Sequence, residues 1–160
     1  MKRFLSCSLA AIMMAAAAAV PAIAEESVSI SKVAYIGSNE AASGWQTELT
    51  RVLGAAGTYT VAENMLEAMI GIPAIEKEAP ELIVIDSSVA GKDEGEIFEN
   101  VMLSIQSFAT APYVALVSES AKDASVGYVE RLAANFDVDW ICAEDAGSGS
   151  VADYVASELT

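Results

Sequence analysis

The chain of 160 residues has no histidine, two cysteines and only eight basic residues against 23 acidic ones. The absence of histidine excludes zinc sites and any histidine-based catalytic triad. The net charge of −15 describes a surface that repels nucleic acid and anionic lipid. High solubility explains this charge, and attraction of a basic partner or a cation is the second explanation. We expect no nucleic-acid partner, no cofactor, no metal site and no catalytic residue.

The first 24 residues predict a secretory signal peptide. Met1-Lys2-Arg3 is a basic start, residues 4–20 are apolar and alanine-rich, and Ala22-Ile23-Ala24 is the small-x-small pattern that signal peptidase accepts. An uncleaved membrane anchor is the alternative, and the well-formed cleavage site argues against it. We expect a signal peptide at 1–24, one domain at 25–160, and a periplasmic or secreted product that is not inserted in a membrane after cleavage.

Cleavage after Ala24 has two consequences for the composition of the mature chain. Loss of Lys2 and Arg3 makes the mature chain still more acidic. Cys7 also leaves, so Cys142 is the only mature cysteine and no intramolecular disulfide can form. We expect Cys142 to be a small buried hydrophobic residue.

Strand and helix patterns alternate along the mature chain. Apolar, β-branched runs predict strands at 33–36, 58–61, 82–85, 112–117 and 138–142. Helical spacing predicts a first helix with Trp45, Leu49, Val52, Leu53 and Ala56 on one face, then helices at 65–79, 97–108, 129–136 and 151–159. Gly71 and Pro73 predict a bend or break in the second helix. The alternation predicts an α/β fold with a doubly wound, five-stranded parallel sheet and helices on both faces.

Asp86 stands where the third predicted strand, Leu82-Ile83-Val84-Ile85, ends. Ligands of open parallel sheets bind at the carboxyl ends of the strands, so Asp86 is the first candidate for a functional residue. A purely structural role is the alternative, in which the carboxylate caps the following turn. Small polar residues after the first strand, in the loop 37–44, could also cradle a ligand.

Residues 79–159 resemble the response-regulator receiver domain, which has a flavodoxin-like fold, a three-layer sandwich. Ala79-Pro80-Glu81-Leu82-Ile83-Val84-Ile85-Asp86 matches the third strand of that family, which ends in the phosphoacceptor aspartate. Ala111-Pro112-Tyr113-Val114-Ala115-Leu116-Val117-Ser118 matches the fourth strand, where Ser118 takes the place of the hydroxyl that senses the phosphoryl group. Trp140 falls at the aromatic position of the fifth strand, and Gly91 at the glycine that follows the aspartate.

The departures from the family pattern concern its chemistry. The two acidic residues that would hold magnesium fall on Gly37 and Ser38, and the lysine after the fifth strand falls on Ala143. A hard cation held by several oxygens must offset the charge when a phosphoryl group meets a carboxylate. The resemblance therefore implies a degenerate receiver that lost this chemistry.

Three classes of function remain open from the sequence. The first is an exported pseudo-receiver, not an enzyme, that acts in signalling by binding a protein partner or itself. The second is a periplasmic module that binds a small molecule, and the third is a genuine phosphoacceptor of a phosphorelay with Asp86 as acceptor. The candidate binding residues of the crevice are Gly37, Ser38, Asn39, Ser87, Ser118 and Trp140.

Overall fold

Five parallel strands form the centre of the molecule in this computed structural model. The structure describes residues 30–38, 46–48, 50–51, 54, 56–118, 120, 126–142 and 144. The strands are β1 (Lys32–Gly37), β2 (Ala56–Val61), β3 (Leu82–Asp86), β4 (Tyr113–Ser118) and β5 (Asp139–Cys142). Their order is β2-β1-β3-β4-β5, which is the order of the flavodoxin-like fold. The predicted α/β class with a five-stranded parallel sheet is confirmed.

Three helices are described in full: α1 (Met65–Glu78), α2 (Gly95–Gln106) and α3 (Val126–Phe136). Their buried residues join one face of the sheet in a single core. Helix α1 contributes Met65, Ala68, Ile72 and Ile75, helix α2 contributes Phe98, Val101, Met102 and Ile105, and helix α3 contributes Tyr128, Val129, Leu132 and Ala133. They pack on the strand residues Ala34, Ile36, Ile83, Ile85 and Leu116.

Helix α1 is continuous, so of the bend or break predicted at Gly71 and Pro73 the break is wrong. Pro73 lies inside the helix and is exposed. Proline removes one backbone hydrogen bond, and the four buried residues on the inner face of α1 outweigh that loss. The helix starts at the N-cap Asn64, whose side chain accepts from the Glu67 N–H at 3.0 Å. It ends at Ala79 in the left-handed conformation, directly before Pro80.

The predicted first helix ends earlier than its apolar spacing suggested. Residues 46–48 and 50–51 are helical, and Gly54 has a φ of 63°. The Gly54 N–H donates to the Thr50 carbonyl at 3.0 Å, which is how a left-handed glycine closes a helix. Ala56 is therefore the first residue of β2, and its prediction as part of the helical face is wrong.

The opposite face of the sheet also has buried strand residues, among them Val33, Tyr35, Val84 and Val117. Cys142 is buried and unpaired, as predicted. In the described ranges, no helix combines the length and the apolar character that crossing a bilayer requires. The predicted signal peptide, the residues Trp45, Leu49, Val52 and Leu53, and the predicted helix at 151–159 all lie outside the described residues.

Candidate functional site

The carboxyl ends of β1, β3 and β4 bring Gly37, Asp86 and Ser118 to one edge of the sheet. Ile36 is in register with Ile85, and Asp86 is in register with Val117. Asp86, Ser87 and Ser118 are the buried polar residues of the described chain. A buried polar group is costly unless it has a hydrogen-bond partner, so the partners of these three residues define what the site can do.

The carboxylate of Asp86 is held by two donors within the chain. The Tyr35 hydroxyl donates to Oδ2 at 3.0 Å, and the Ser88 N–H donates to Oδ1 at 2.9 Å. Asp86 is only 2% exposed, and Tyr35 is fully buried. The bond from Ser88 makes Asp86 the N-cap of a short 3-10 turn, Ser87–Val89. Each carboxylate oxygen therefore already has an internal partner.

Gly37 is required for the contact between Tyr35 and Asp86. Side chains two residues apart on a strand lie on the same face, so the ring of Tyr35 extends over Gly37 towards the end of the neighbouring strand. A Cβ atom at position 37 would lie 2.3 Å from the Tyr35 hydroxyl oxygen and 2.4 Å from Cζ. The phenol thus fills the space in which any side chain at position 37 would begin.

A second hydrogen-bonded group lies on the other side of the same edge. The Ser87 and Ser118 hydroxyls are 2.8 Å apart, and Trp140 Nε1 donates to Ser118 Oγ at 3.0 Å. Ser87 and Ser118 are fully buried, and Trp140 is half-buried. These contacts join the ends of β3 and β4 to β5.

The structure divides the predicted crevice residues between these two groups. Gly37 belongs with Tyr35 and Asp86, whereas Ser87, Ser118 and Trp140 form the second group. Ser38 is half-buried directly after β1, and Asn39 lies outside the described residues. Tyr35 was missed as a site residue, because the run 33–36 predicts a buried strand and its partner is 51 positions away. The only available signal was a hydroxyl inside an otherwise apolar strand.

The loop between β3 and α2 is tied to α3. The Tyr128 hydroxyl donates to the Gly91 carbonyl at 2.7 Å, and the Gly91 N–H donates to Glu94 Oε2. Burial, together with the charge of Glu94, raises the pKa of Tyr128 to about 12. Tyr128 therefore stays protonated as a donor at any physiological pH. Both backbone polar groups of Gly91 are satisfied, so the loop that follows Asp86 is held in place.

Tyr59 lies beside Tyr35 on the same face of the sheet. The two residues are in register on β2 and β1, and their ring centroids are 6.2 Å apart. Burial raises the pKa of the Tyr59 hydroxyl. That hydroxyl is the one buried side-chain polar atom without a hydrogen-bond partner in the part of the chain that the structure describes. Only one of the two phenols therefore reaches a carboxylate.

Comparisons with known proteins identify a fold and no family. No protein-family model matches the chain, and no curated protein is similar to it. Among solved structures, a GDSL-like lipase from Bacteroides thetaiotaomicron is similar over 69% of this chain and 67% of its own, with 14% identity and a TM-score of 0.53. A fusion that carries the trimeric coiled coil of yeast Spc42 is similar over 81% of this chain and 76% of its own, with 15% identity and a TM-score of 0.51.

A third solved structure is the phosphorylated cyanobacterial phytochrome response regulator RcpA. It has 16% identity, covers 81% of this chain and 89% of its own, and has a TM-score of 0.46, which is too low to support a conclusion. At these identities the lipase and the fusion show a shared fold alone. The function must be inferred from the chain's own residues.

Proposed function

We propose that this protein is an exported, receiver-like domain that works by binding a protein partner and has no phosphoacceptor chemistry. The observation that carries the proposal is the occupied carboxylate of Asp86, which accepts from the Tyr35 hydroxyl and the Ser88 N–H. The receiver-like part is supported by the strand order and by an aspartate at the end of β3. Ser118 at the end of β4 and Trp140 within β5 add to that support.

Phosphoryl transfer in receiver domains depends on magnesium, and the residues of this site do not fit that ion. Magnesium needs several oxygen ligands in near-octahedral geometry. Gly37 and Ser38 take the positions of the family's acidic pair, and the Tyr35 ring covers Gly37. Across the described ranges, no three histidine, cysteine, aspartate or glutamate residues are grouped to hold a metal. Asp86 is left with a phenol as its neighbour where a cation would be needed.

The phenol provides a different kind of stabilisation. A hydrogen bond to a charged acceptor is stronger than one between neutral groups, so Tyr35 lets the buried carboxylate remain satisfied without any cation. Phosphorylation of Asp86 would place a phosphoryl group beside the Tyr35 hydroxyl or the Ser88 N–H and bring further negative charge into a buried place. The mature chain's net negative charge, larger than that of the full chain at −15, would oppose this step as well.

Binding of a protein partner is supported by apolar side chains on the surface. Val61 is 43% exposed, Leu66 49% and Ile70 72%. Leu66 and Ile70 are on α1, which follows β2 and packs against it. Apolar residues that share one region of a surface commonly mark an interaction site.

A melting experiment with a phosphoryl mimic tests the proposal. A ligand that binds the folded state raises the melting temperature by mass action. We expect magnesium with beryllium fluoride to leave the melting temperature of the wild type unchanged, like that of Asp86→Asn. Asparagine at position 86 can still accept from Ser88 and donate to Tyr35, so this control keeps the fold. An increase that occurs only in the wild type would contradict the proposal.

The same experiment addresses the small-molecule alternative. Small metabolites are screened in the absence of beryllium fluoride. A metabolite that binds in the crevice would raise the melting temperature of the protein. We expect no compound to produce a shift that depends on Ser118 or Trp140, since both are already hydrogen-bonded to each other. A dose-dependent shift that is lost in Ser118→Ala would favour the small-molecule module.

A further inference from the structure

The outer edge of β2 presents backbone groups that have no partner in the described structure. The Ala62 N–H donates to the Gly37 carbonyl at 3.0 Å, so this residue points its polar groups towards β1. Successive residues of a strand point these groups to opposite edges, so those of Gly57, Tyr59 and Val61 point outwards. No hydrogen bond from any described residue reaches them.

This edge lacks the features that normally protect a strand from pairing. Natural edges carry charges or proline, or are very short. Strand β2 reads Ala-Gly-Thr-Tyr-Thr-Val over six residues, without a charge or a proline. The other edge strand, β5, has four residues and starts with Asp139. Among the residues that the structure describes, β5 therefore has protective features and β2 has none.

We infer that the β2 edge pairs with the β2 edge of a second copy of this chain, in antiparallel orientation about a two-fold axis at Tyr59. This inference rests on the proposed function, because it names the partner of the interaction module. A two-fold axis brings the same surface of both copies together. It places Tyr59 opposite itself and Gly57 opposite Val61. All three residues point their backbone groups outwards, so each pair exchanges both hydrogen bonds of an antiparallel ladder.

The charge distribution points to β2 as the place where two copies of this acidic chain can meet. The chain has a net charge of −15, so two copies repel each other over most of their surface. Strand β2 is uncharged, and the exposed Val61, Leu66 and Ile70 lie on it or on the adjoining helix. A basic partner would be attracted to the acidic surface and gain nothing from this neutral strip. An identical copy finds there the same backbone pattern, which is complementary to itself.

Sedimentation equilibrium on the chain expressed with its own leader and purified from the envelope fraction tests the inference. We expect twice the monomer mass at high concentration, and tighter association as salt screens the repulsion. Val61→Asp should weaken the dimer by about tenfold or more, because it places a charge in the ladder. Leu103→Asp is the matched control. Leu103 is 48% exposed, close to the 43% of Val61, and lies on α2 away from the edge.

Hydrogen exchange identifies the paired strand independently of the variants. The amides of Gly57, Tyr59 and Val61 should exchange more slowly as the dimer forms, whereas those of Thr58 and Thr60, which point towards β1, should not change. A monomer at all concentrations and salt levels would overturn the inference, as would a dimer that Val61→Asp and Leu103→Asp weaken equally. A monomer whose β2 amides become protected only when another protein is added would also overturn it. None of these outcomes bears on whether Asp86 accepts a phosphoryl group. The proposed function is tested by the separate experiment with beryllium fluoride, so the two can fail independently.

Discussion

Tyr35 and Gly37 act together on Asp86, although neither residue has a charge. Gly37 has no Cβ, and the Tyr35 ring uses the free space to reach the neighbouring strand. The hydroxyl then donates to a carboxylate that is 2% exposed. The missing side chain at position 37 and the phenol at position 35 therefore work as one unit. A side chain at position 37 would leave the ring without room, and removal of the phenol would leave Asp86 Oδ2 without its donor.

Gly37→Ala should destabilise the protein strongly, and the effect should depend on Tyr35. The new methyl would lie within 2.6 Å of three atoms of the ring, so the ring must move and its bond to Asp86 must break. We expect a loss of about 3 kcal/mol in the free energy of unfolding, measured by urea denaturation. In a Tyr35→Leu background the same change should cost less than about 1 kcal/mol, since the ring is gone.

Gly127→Ala is the control for that cycle. A Cβ at position 127, in helix α3, meets nothing within 4 Å, so this change should be neutral or slightly stabilising. Equal losses from Gly37→Ala in both backgrounds would show that the glycine is needed for its backbone and not for the phenol.

At the scale of elements, a second carboxylate lies at the other end of the strands, where β1 and β3 begin. Glu81, directly before β3, accepts from the Ser31 N–H, from Ser31 Oγ at 2.9 Å and from the Lys32 N–H at 3.1 Å. The bonds from Ser31 are the main cause of a lowered pKa of Glu81. This contact joins the start of β1 to the start of β3, where the ladder between them begins.

Glu81→Gln should reduce the stability of the protein near neutral pH and have no effect on it at strongly acidic pH. The pKa of Glu81 is lower in the folded state than its unfolded value of 4.5. Its contribution to the free energy of unfolding is therefore fully present when the pH is above 4.5, and it is lost as the pH falls through the folded-state pKa. Because Glu81 is largely exposed, we expect a difference of less than about 1 kcal/mol near neutral pH. Urea denaturation of both proteins across acidic pH should show that difference disappear.

The strands were easier to predict from the sequence than the boundaries of the helices. The aliphatic run at 82–85 is buried on both faces and could hardly be anything else. The apolar spacing that included Ala56 continued past the true end of the helix, because periodicity does not register the left-handed turn at Gly54. The local rule about Pro73 failed for the opposite reason, since tertiary packing of α1 overrides one lost hydrogen bond. For the site, the sequence located Asp86, but the hydroxyl of Tyr35 reaches it through pairing between distant strands.

At the scale of the whole molecule, the proposal combines a degenerate site with export from the cytoplasm. Phosphorelays draw on cytoplasmic ATP, so an exported domain would have little use for a phosphoacceptor. Met1-Lys2-Arg3, the alanine-rich stretch and Ala22-Ile23-Ala24 support export. A site without phosphoacceptor chemistry would then be consistent with a protein that works outside the cytoplasm.

Processing should remove residues 1–24. N-terminal sequencing of the protein in the envelope fraction is expected to begin at Glu25, because signal peptidase requires small residues at positions 22 and 24. Ala24→Asp should block the cleavage and leave the precursor attached to the membrane. Recovery of the wild type as a full-length cytoplasmic protein would rule out export.

The state of Asp86 is the central claim, and intact-mass spectrometry tests it most directly. The purified protein is incubated with magnesium and acetyl phosphate, alongside Asp86→Asn and an active receiver domain as the positive control. We predict that the receiver gains the mass of one phosphoryl group, while the wild type and Asp86→Asn both keep their original mass. Stoichiometric mass gain in the wild type that is absent from Asp86→Asn would contradict the account and identify Asp86 as a phosphoacceptor.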